Sequence, residues 1–319
     1  MYIAGTRYEE GAQGYSDNDA DFAKENEIAN NMMQQIYPMW QDINVMVFVG
    51  FGFLKAFLRT HSWSAIGFNM LIGAMACQWA VLCLGFFRMV FVENEFKPIP
   101  IDIRQLIQGS LGAAAGLITM NALIGKVNFA QMYVLVALEM IFYALNRVLI
   151  IDVFQAVDTG GTLTIHMFGA YFGLACQFYF KPKRAIKDVD EQGKGVYNSH
   201  LIAMIGTLFL FCYWPSFNSA LLTGVAQQRA ALNTWYAITS SALTAAYVCR
   251  VSVGKLDMEV FLNATLAGGV MIGGCCDMVF NPGFAIIVGG LAGIASSLGY
   301  LKLTSFMERK VRLHDTCGI

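Results

Sequence analysis

Apolar residues run for roughly twenty positions at a time, over and over, and this limits what the chain can become. Such runs lie near 43–60, 64–92, 106–125, 128–150, 159–180, 198–217, 231–250, 259–279 and 283–304. A helix needs about 20 apolar residues to cross the hydrocarbon core of a bilayer, and in lipid a chain must satisfy its own backbone hydrogen bonds. The runs therefore predict an all-α polytopic membrane protein with about nine transmembrane helices. Composition agrees, at 56% apolar and 13% charged, with 31 glycines against 6 prolines. That balance suits helices packed through small residues better than a barrel of alternating strands. A net charge of −1 excludes a polybasic nucleic-acid binder.

Residues 1–40 form a polar, acidic segment carrying Glu9, Glu10, Asp17, Asp19, Asp21, Glu25 and Glu27, with no signal-peptide core. With that segment extracytoplasmic, alternate loops on the other side collect Lys55, Arg59, Lys126, Lys181, Lys183, Arg184, Lys187, Lys194, Arg250, Lys255, Lys302, Arg309, Lys310 and Arg312. These are 14 of the 21 basic residues, so the positive-inside rule puts the amino terminus outside. The longest charged loop, "KPKRAIKDVDEQGKG", separates five spans from four. An odd number before it makes the second half run opposite to the first, as in inverted-repeat transporters. The expected division is a first five-helix repeat at 41–180, a cytoplasmic linker at 181–197 and a second repeat at 198–319, one helix short of the first.

Cysteines stand at 77, 83, 176, 212, 249, 275, 276 and 317, with no C-x-x-C and no Cys/His ligand spacing. They are expected to be buried fillers, with neither a metal nor another cofactor involved.

The residues that carry chemistry are few. His166, in "GTLTIHMFGAYFGLACQFYF", lies near the middle of its span by residue count. An ionisable group at bilayer depth is costly and normally faces a bundle interior or a cavity. It is either a pore residue or a partner for a neighbouring helix. Gly169 and Gly173 follow at the G-x-x-x-G spacing that lets two backbones approach. Asp158 is placed to cap the outer end of this helix, to attract a cation, or both. Positions 158, 162 and 166 follow one i, i+4 ridge, which would let Asp158 and His166 line one route inward. In "YWPSFNSA", Trp214 reads as an interfacial belt residue and Phe217 as either packing or a plug. Glu139, in mid-span, must be protonated, paired or at an interface, while Arg147 can snorkel.

Six stretches in order resemble the Rhesus glycoprotein branch of the ammonium transporter superfamily. They are "VMVFVGFGFLKAFL", "GFNMLIGAMACQWAVL", "DTGGTLTIHMFGAYFGL", "YWPSFNSA", "GKLDMEVFLNATLAGGV" and "LHDTCGI", spanning nearly all of the chain from residue 41. The resemblance implies a trimer of helical bundles, homomeric or built with related subunits, in a membrane expected to be the plasma membrane. Each bundle would hold a narrow apolar pore for ammonia or ammonium and catalyse no reaction. It also implies that His166 is one of a pair of pore histidines, that Asp158 supports ammonium at the outer approach, and that Phe217 belongs to a gate, with Asn218 beside it in the pore set.

Three departures stand out. A gate phenylalanine of the branch falls on Leu111, an outer acidic position falls on Arg147, and the chain stops at Ile319 before the second pore histidine. The expectation from that ending is a product truncated at both ends and not conducting by itself. A non-conducting scaffold subunit is the alternative reading, and a proton-coupled carrier of another small solute is a third.

Overall fold

The computed structural model describes residues 5–8, 33–57, 62–180, 197–307 and 310. Nine helical rods are present among them: α1 at 33–57, α2 (Ser62–Glu93), α3 (Ile103–Leu123), α4 (Phe129–Val153), α5 at 162–177, α6 (Tyr197–Ser219), α7 (Gly224–Val253), α8 (Met258–Gly273) and α9 (Pro282–Leu303). Among the described residues the helices are joined by a parallel ribbon of β1 (Thr6–Tyr8) and β2 (Ile99–Ile101), with Thr6 opposite Ile99. The acidic run Glu9–Glu27, the 181–196 linker and the "LHDTCGI" ending lie outside the described residues.

Local sequence sets four of the helix starts. Asp102 accepts the Gln105 N–H at 2.8 Å to begin α3. Asn128 and Gln131 exchange side-chain and backbone bonds in a capping box at the start of α4. Asp257 accepts the N–H groups of Glu259 and Val260 at α8, and Asn281 followed by Pro282 opens α9.

Five helices, α2, α3, α4, α6 and α9, are long and apolar enough to cross a membrane. α7 is longer than any of these apart from α2, but it carries Asn233, Thr234 and Ser241, all buried against its neighbours. α5 and α8 are short, and they meet where the candidate site lies.

The centre of the bundle is α3, in which every residue from Gly109 to Leu123 is buried. Its small residues let α2, α4 and α5 close around it. α7, α8 and α9 pack on one another in the second half, and α6 lies against α1.

Three of the basic residues assigned to loops from the sequence lie in helices: Arg250 near the end of α7, Lys302 near the end of α9, and Lys55, which is also buried. Lys55 ends α1 with 1% of its surface exposed, and its Nζ donates to Asn69 Oδ1 at 2.9 Å and to the Leu117 carbonyl at 3.2 Å. Its stem packs among apolar neighbours while the ammonium is held by oxygen acceptors and faces the Phe51 ring.

Candidate functional site

The turn before α5 is what builds the site. Residues 154–161 leave the helical path after α4, and Gly161 takes a left-handed conformation at φ +72°, which glycine adopts without steric cost. The helix therefore begins at Thr162 with a wide π turn, in which the N–H groups of Ile165 and His166 both reach the Gly161 carbonyl, at 2.9 and 3.0 Å. This corrects two expectations. His166 sits in the first turns of α5, away from mid-helix, and Asp158 lies outside the helix, so there is no 158/162/166 ridge.

Asp158 folds back over that first turn. Its Oδ1 accepts the Leu163 N–H at 3.0 Å, and its Oδ2 accepts both the N–H and the hydroxyl of Thr164 at 2.8 Å. Three donors thus converge on one buried carboxylate, which supplies acceptors for N–H groups that a helix start leaves open.

The same turn is stitched to α8. The Gly160 N–H donates to the Gly273 carbonyl at 2.7 Å, the Thr162 hydroxyl to the Val270 carbonyl at 2.5 Å, and the Thr159 hydroxyl to Asp277 Oδ1 at 2.7 Å. Asn218 completes the join from α6: its Nδ2 donates to Thr234 Oγ1 at 3.0 Å and to the Gly269 carbonyl at 3.1 Å. Its Oδ1 stands beside Gly160 and Gly273, where a side chain on either glycine would crowd it.

His166 is 8% exposed and lies among aromatic rings. The indole of Trp214 is nearly parallel to it, at 19° and 5.7 Å between centroids, and the Phe217 ring is tilted against it at 5.8 Å. Trp214 and Phe217 are each 2% exposed, so Trp214 is not a belt residue: its indole lies inside the bundle, packed against Gly269. Sequence reading missed Trp214, because a tryptophan near a span end has the same signature whether it faces the interface or the interior. Leu111 on α3 is buried in the same continuous apolar core as Phe217 and Trp214. Three polar atoms here, His166 Nε2, Trp214 Nε1 and Asn218 Oδ1, are buried without a hydrogen-bond partner among the described residues.

Arg147 and Glu139 sit on α4, and Glu139 is wholly buried, with Thr119 as its hydrogen-bonding neighbour.

The chain matches the sequence profile of the Ammonium Transporter Family over residues 19–319. It belongs to that family. Among its curated relatives, it is 42% identical to ammonium transporter Rh type C of Oryctolagus cuniculus over 286 residues, covering 89% of this chain and 60% of that protein. It is equally 42% identical to ammonium transporter Rh type A of Canis lupus familiaris over 289 residues, covering 89% of this chain and 68% of the relative. The solved structure of Nitrosomonas europaea Rh50, described with the mechanism of conduction by the Rhesus protein family of channels, superposes with a TM-score of 0.80 at 28% identity, covering 91% of this chain and 76% of that one. Saccharomyces cerevisiae Mep2, at 17% identity and a TM-score of 0.70 over 90% of this chain and 70% of that one, shares the fold. This ammonium transporter family chain is thus a multi-pass membrane protein, and it spans about 60% of the length of the Rh type C relative.

Proposed function

We propose that the protein conducts ammonia, drawn from ammonium, across a membrane through an apolar conduit past His166. The observation that carries this reading is the buried imidazole nitrogen of His166, which has no partner among the described residues and lies beside flat aromatic walls. A neutral imidazole both donates and accepts hydrogen bonds, so it suits a small polar molecule that does the same.

The surroundings favour the neutral species. An ammonium ion entering a passage lined by Trp214, Phe217 and Leu111 would shed water without gaining equivalent ligands, at a cost of several kcal/mol, whereas ammonia sheds far less. Asp158 adds negative charge at the same end of the bundle, close to the start of α5, and so raises the local concentration of the cation before it loses its proton. The ammonium gives its proton to water at the entrance, and the unpartnered ring nitrogen of His166 then hydrogen-bonds the ammonia that remains. Leu111, Asn218 and Phe217 set the width and shape of this end. The names of the relatives, Rh type C and Rh type A ammonium transporters, support the same substrate.

In this reading the protein is a trimer in the plasma membrane with its amino terminus extracytoplasmic. The chain divides into a first repeat at 41–180, a linker at 181–197 and a second repeat from 198. Packing supports the division: α2 gathers α3 and α4 as α7 gathers α8 and α9, and the leading helices α1 and α6 lie together.

The test is ammonia-driven pH change and methylammonium uptake in proteoliposomes holding the full protein, wild type beside His166→Ala. A large loss of uptake or of selectivity in the variant is expected. Unchanged uptake and selectivity would make His166 a packing residue and remove the basis of this proposal.

A further inference from the structure

Glu139 lies in the fourth span, fully buried, between the residues that hold α3, α4 and α5 together. Its Oε1 is 2.5 Å from Thr119 Oγ1, and the same hydroxyl oxygen is 2.9 Å from the carbonyl of Gly169. Both distances are those of hydrogen bonds. A threonine hydroxyl has one hydrogen, a backbone carbonyl has none, and an ionised carboxylate has none. With Glu139 ionised, two acceptors would compete for that single hydrogen, and one close oxygen pair would be left with nothing between. With Glu139 protonated both contacts are satisfied at once: the acid O–H donates to Thr119, and the Thr119 O–H donates to Gly169.

The rest of the environment points the same way. Glu139 Oε2 is buried with no hydrogen-bond partner among the described residues, its neighbours on the same helix are Val136 and Met140, and across the contact stands Gly116. The ion pairs among the described residues, Lys97–Glu93 and His200–Glu259, involve other carboxylates. An uncompensated charge in such surroundings is far costlier than a carbonyl oxygen lacking one donor.

We propose that Glu139 is a neutral carboxylic acid whose proton closes a relay, Glu139 to Thr119 to the Gly169 carbonyl, that positions α5 and with it His166. The three members come from three helices. Gly169 follows His166 by three residues, on the same helix face one turn along, and at Gly169 the α3 backbone comes so close that an added Cβ would stand 2.6 Å from the Ala115 carbonyl oxygen. The relay thus fixes the spacing of α3 and α5 one turn from the imidazole. Glu139 is a positioning residue that touches no permeating molecule. Its effect on transport rests on the function proposed above, whereas its protonation does not.

The experiment uses the full protein in lipid nanodiscs and compares wild type, Glu139→Gln, Glu139→Leu and Thr119→Val. Infrared difference spectra of wild type against Glu139→Gln at neutral pH should show loss of the C=O stretch of a protonated carboxylic acid, and Thr119→Val should shift that band. Loss of carboxylate bands instead would overturn the proposal. For transport, the amide of Glu139→Gln can still donate to Thr119, so maximal methylammonium uptake should stay within about twofold of wild type. Glu139→Leu should lower it by roughly tenfold or more with little change in half-saturation, as expected for a displaced site. Equal loss in Gln and Leu would overturn the positioning role. If wild type itself shows no uptake, the transport reading fails while the infrared result still decides the protonation.

Discussion

The imidazole of His166 and the indole of Trp214 lie almost face to face, 5.7 Å apart and 19° from parallel. They come from α5 and α6, on either side of the charged linker, so the site exists only when the two parts of the chain close on each other. Gly269 on α8 presses the indole from another direction, and a Cβ there would stand 2.5 Å from its Nε1. The tryptophan has little freedom to turn, and the histidine is aligned by it.

Replacing Trp214 by Leu keeps apolar bulk but removes the flat wall. An aromatic stack of this kind contributes about 0.5–1.5 kcal/mol beyond its buried area, so uptake should fall roughly two- to tenfold while the protein still assembles. Wild-type uptake in Trp214→Leu would reduce the indole to a space-filler.

Asp158 should tolerate amidation poorly, for a reason visible only in the structure. Both of its oxygens accept hydrogen bonds, one from Leu163 and the other twice from Thr164. An asparagine offers one acceptor oxygen and must turn its NH2 toward one of these N–H donors. Asp158→Asn should therefore destabilise by about 1–3 kcal/mol, and Asp158→Ala by a similar amount or more. Thermal unfolding in detergent reads this directly. An Asn variant as stable as wild type would show that the carboxylate acts through charge alone, and uptake of dilute methylammonium would then be the property that changes.

The helices were largely legible in the sequence because a bilayer demands apolar length. The fifth was not placed well. The 159–180 run takes in Thr159–Gly161, yet Gly161 at φ +72° starts the helix afresh, and a glycine pair in a span reads equally well as a packing notch. His166 was legible as an ionisable residue among apolar neighbours. Its orientation was not, since it depends on Trp214 and Phe217, which lie 48 and 51 positions further along the chain. Lys55 misled the loop tally because its acceptors, Asn69 and the Leu117 carbonyl, belong to other helices.

Phe217 should narrow the conduit with little aid from Leu111. Its ring is buried against His166 and Trp214, so Phe217→Ala removes a wall next to the imidazole. Faster ammonia flux with weaker exclusion of larger amines is expected. Truncating a buried phenylalanine costs about 3–5 kcal/mol, so assembly must be checked in parallel by size-exclusion chromatography. An assembled Phe217→Ala with unaltered size discrimination would rule out a gate. Leu111→Phe offers the converse measurement: α3 is buried on every side there, so the added ring should cost about 1–3 kcal/mol in overpacking and slow flux.

Three glycines rank the tightness of the bundle around α5. At Gly169 a new Cβ would meet the Ala115 carbonyl at 2.6 Å, and that oxygen belongs to the backbone of the most buried helix, so neither side can yield cheaply. At Gly173 the nearest atoms are the Ala122 Cβ at 3.0 Å and the Thr119 Cα at 3.1 Å, a contact that a small shift relieves. At Gly67, in α2, nothing lies within 4 Å, and alanine in an open helical position gains about 0.5–1 kcal/mol over glycine. Gly169→Ala should therefore destabilise by about 1–3 kcal/mol, Gly173→Ala by less, and Gly67→Ala should be neutral or stabilising. Melting temperatures of the three variants in one detergent give the order. If Gly169→Ala melts with Gly67→Ala, α5 does not lie against α3 as closely as the structure has it, and the placement of His166 falls with that contact.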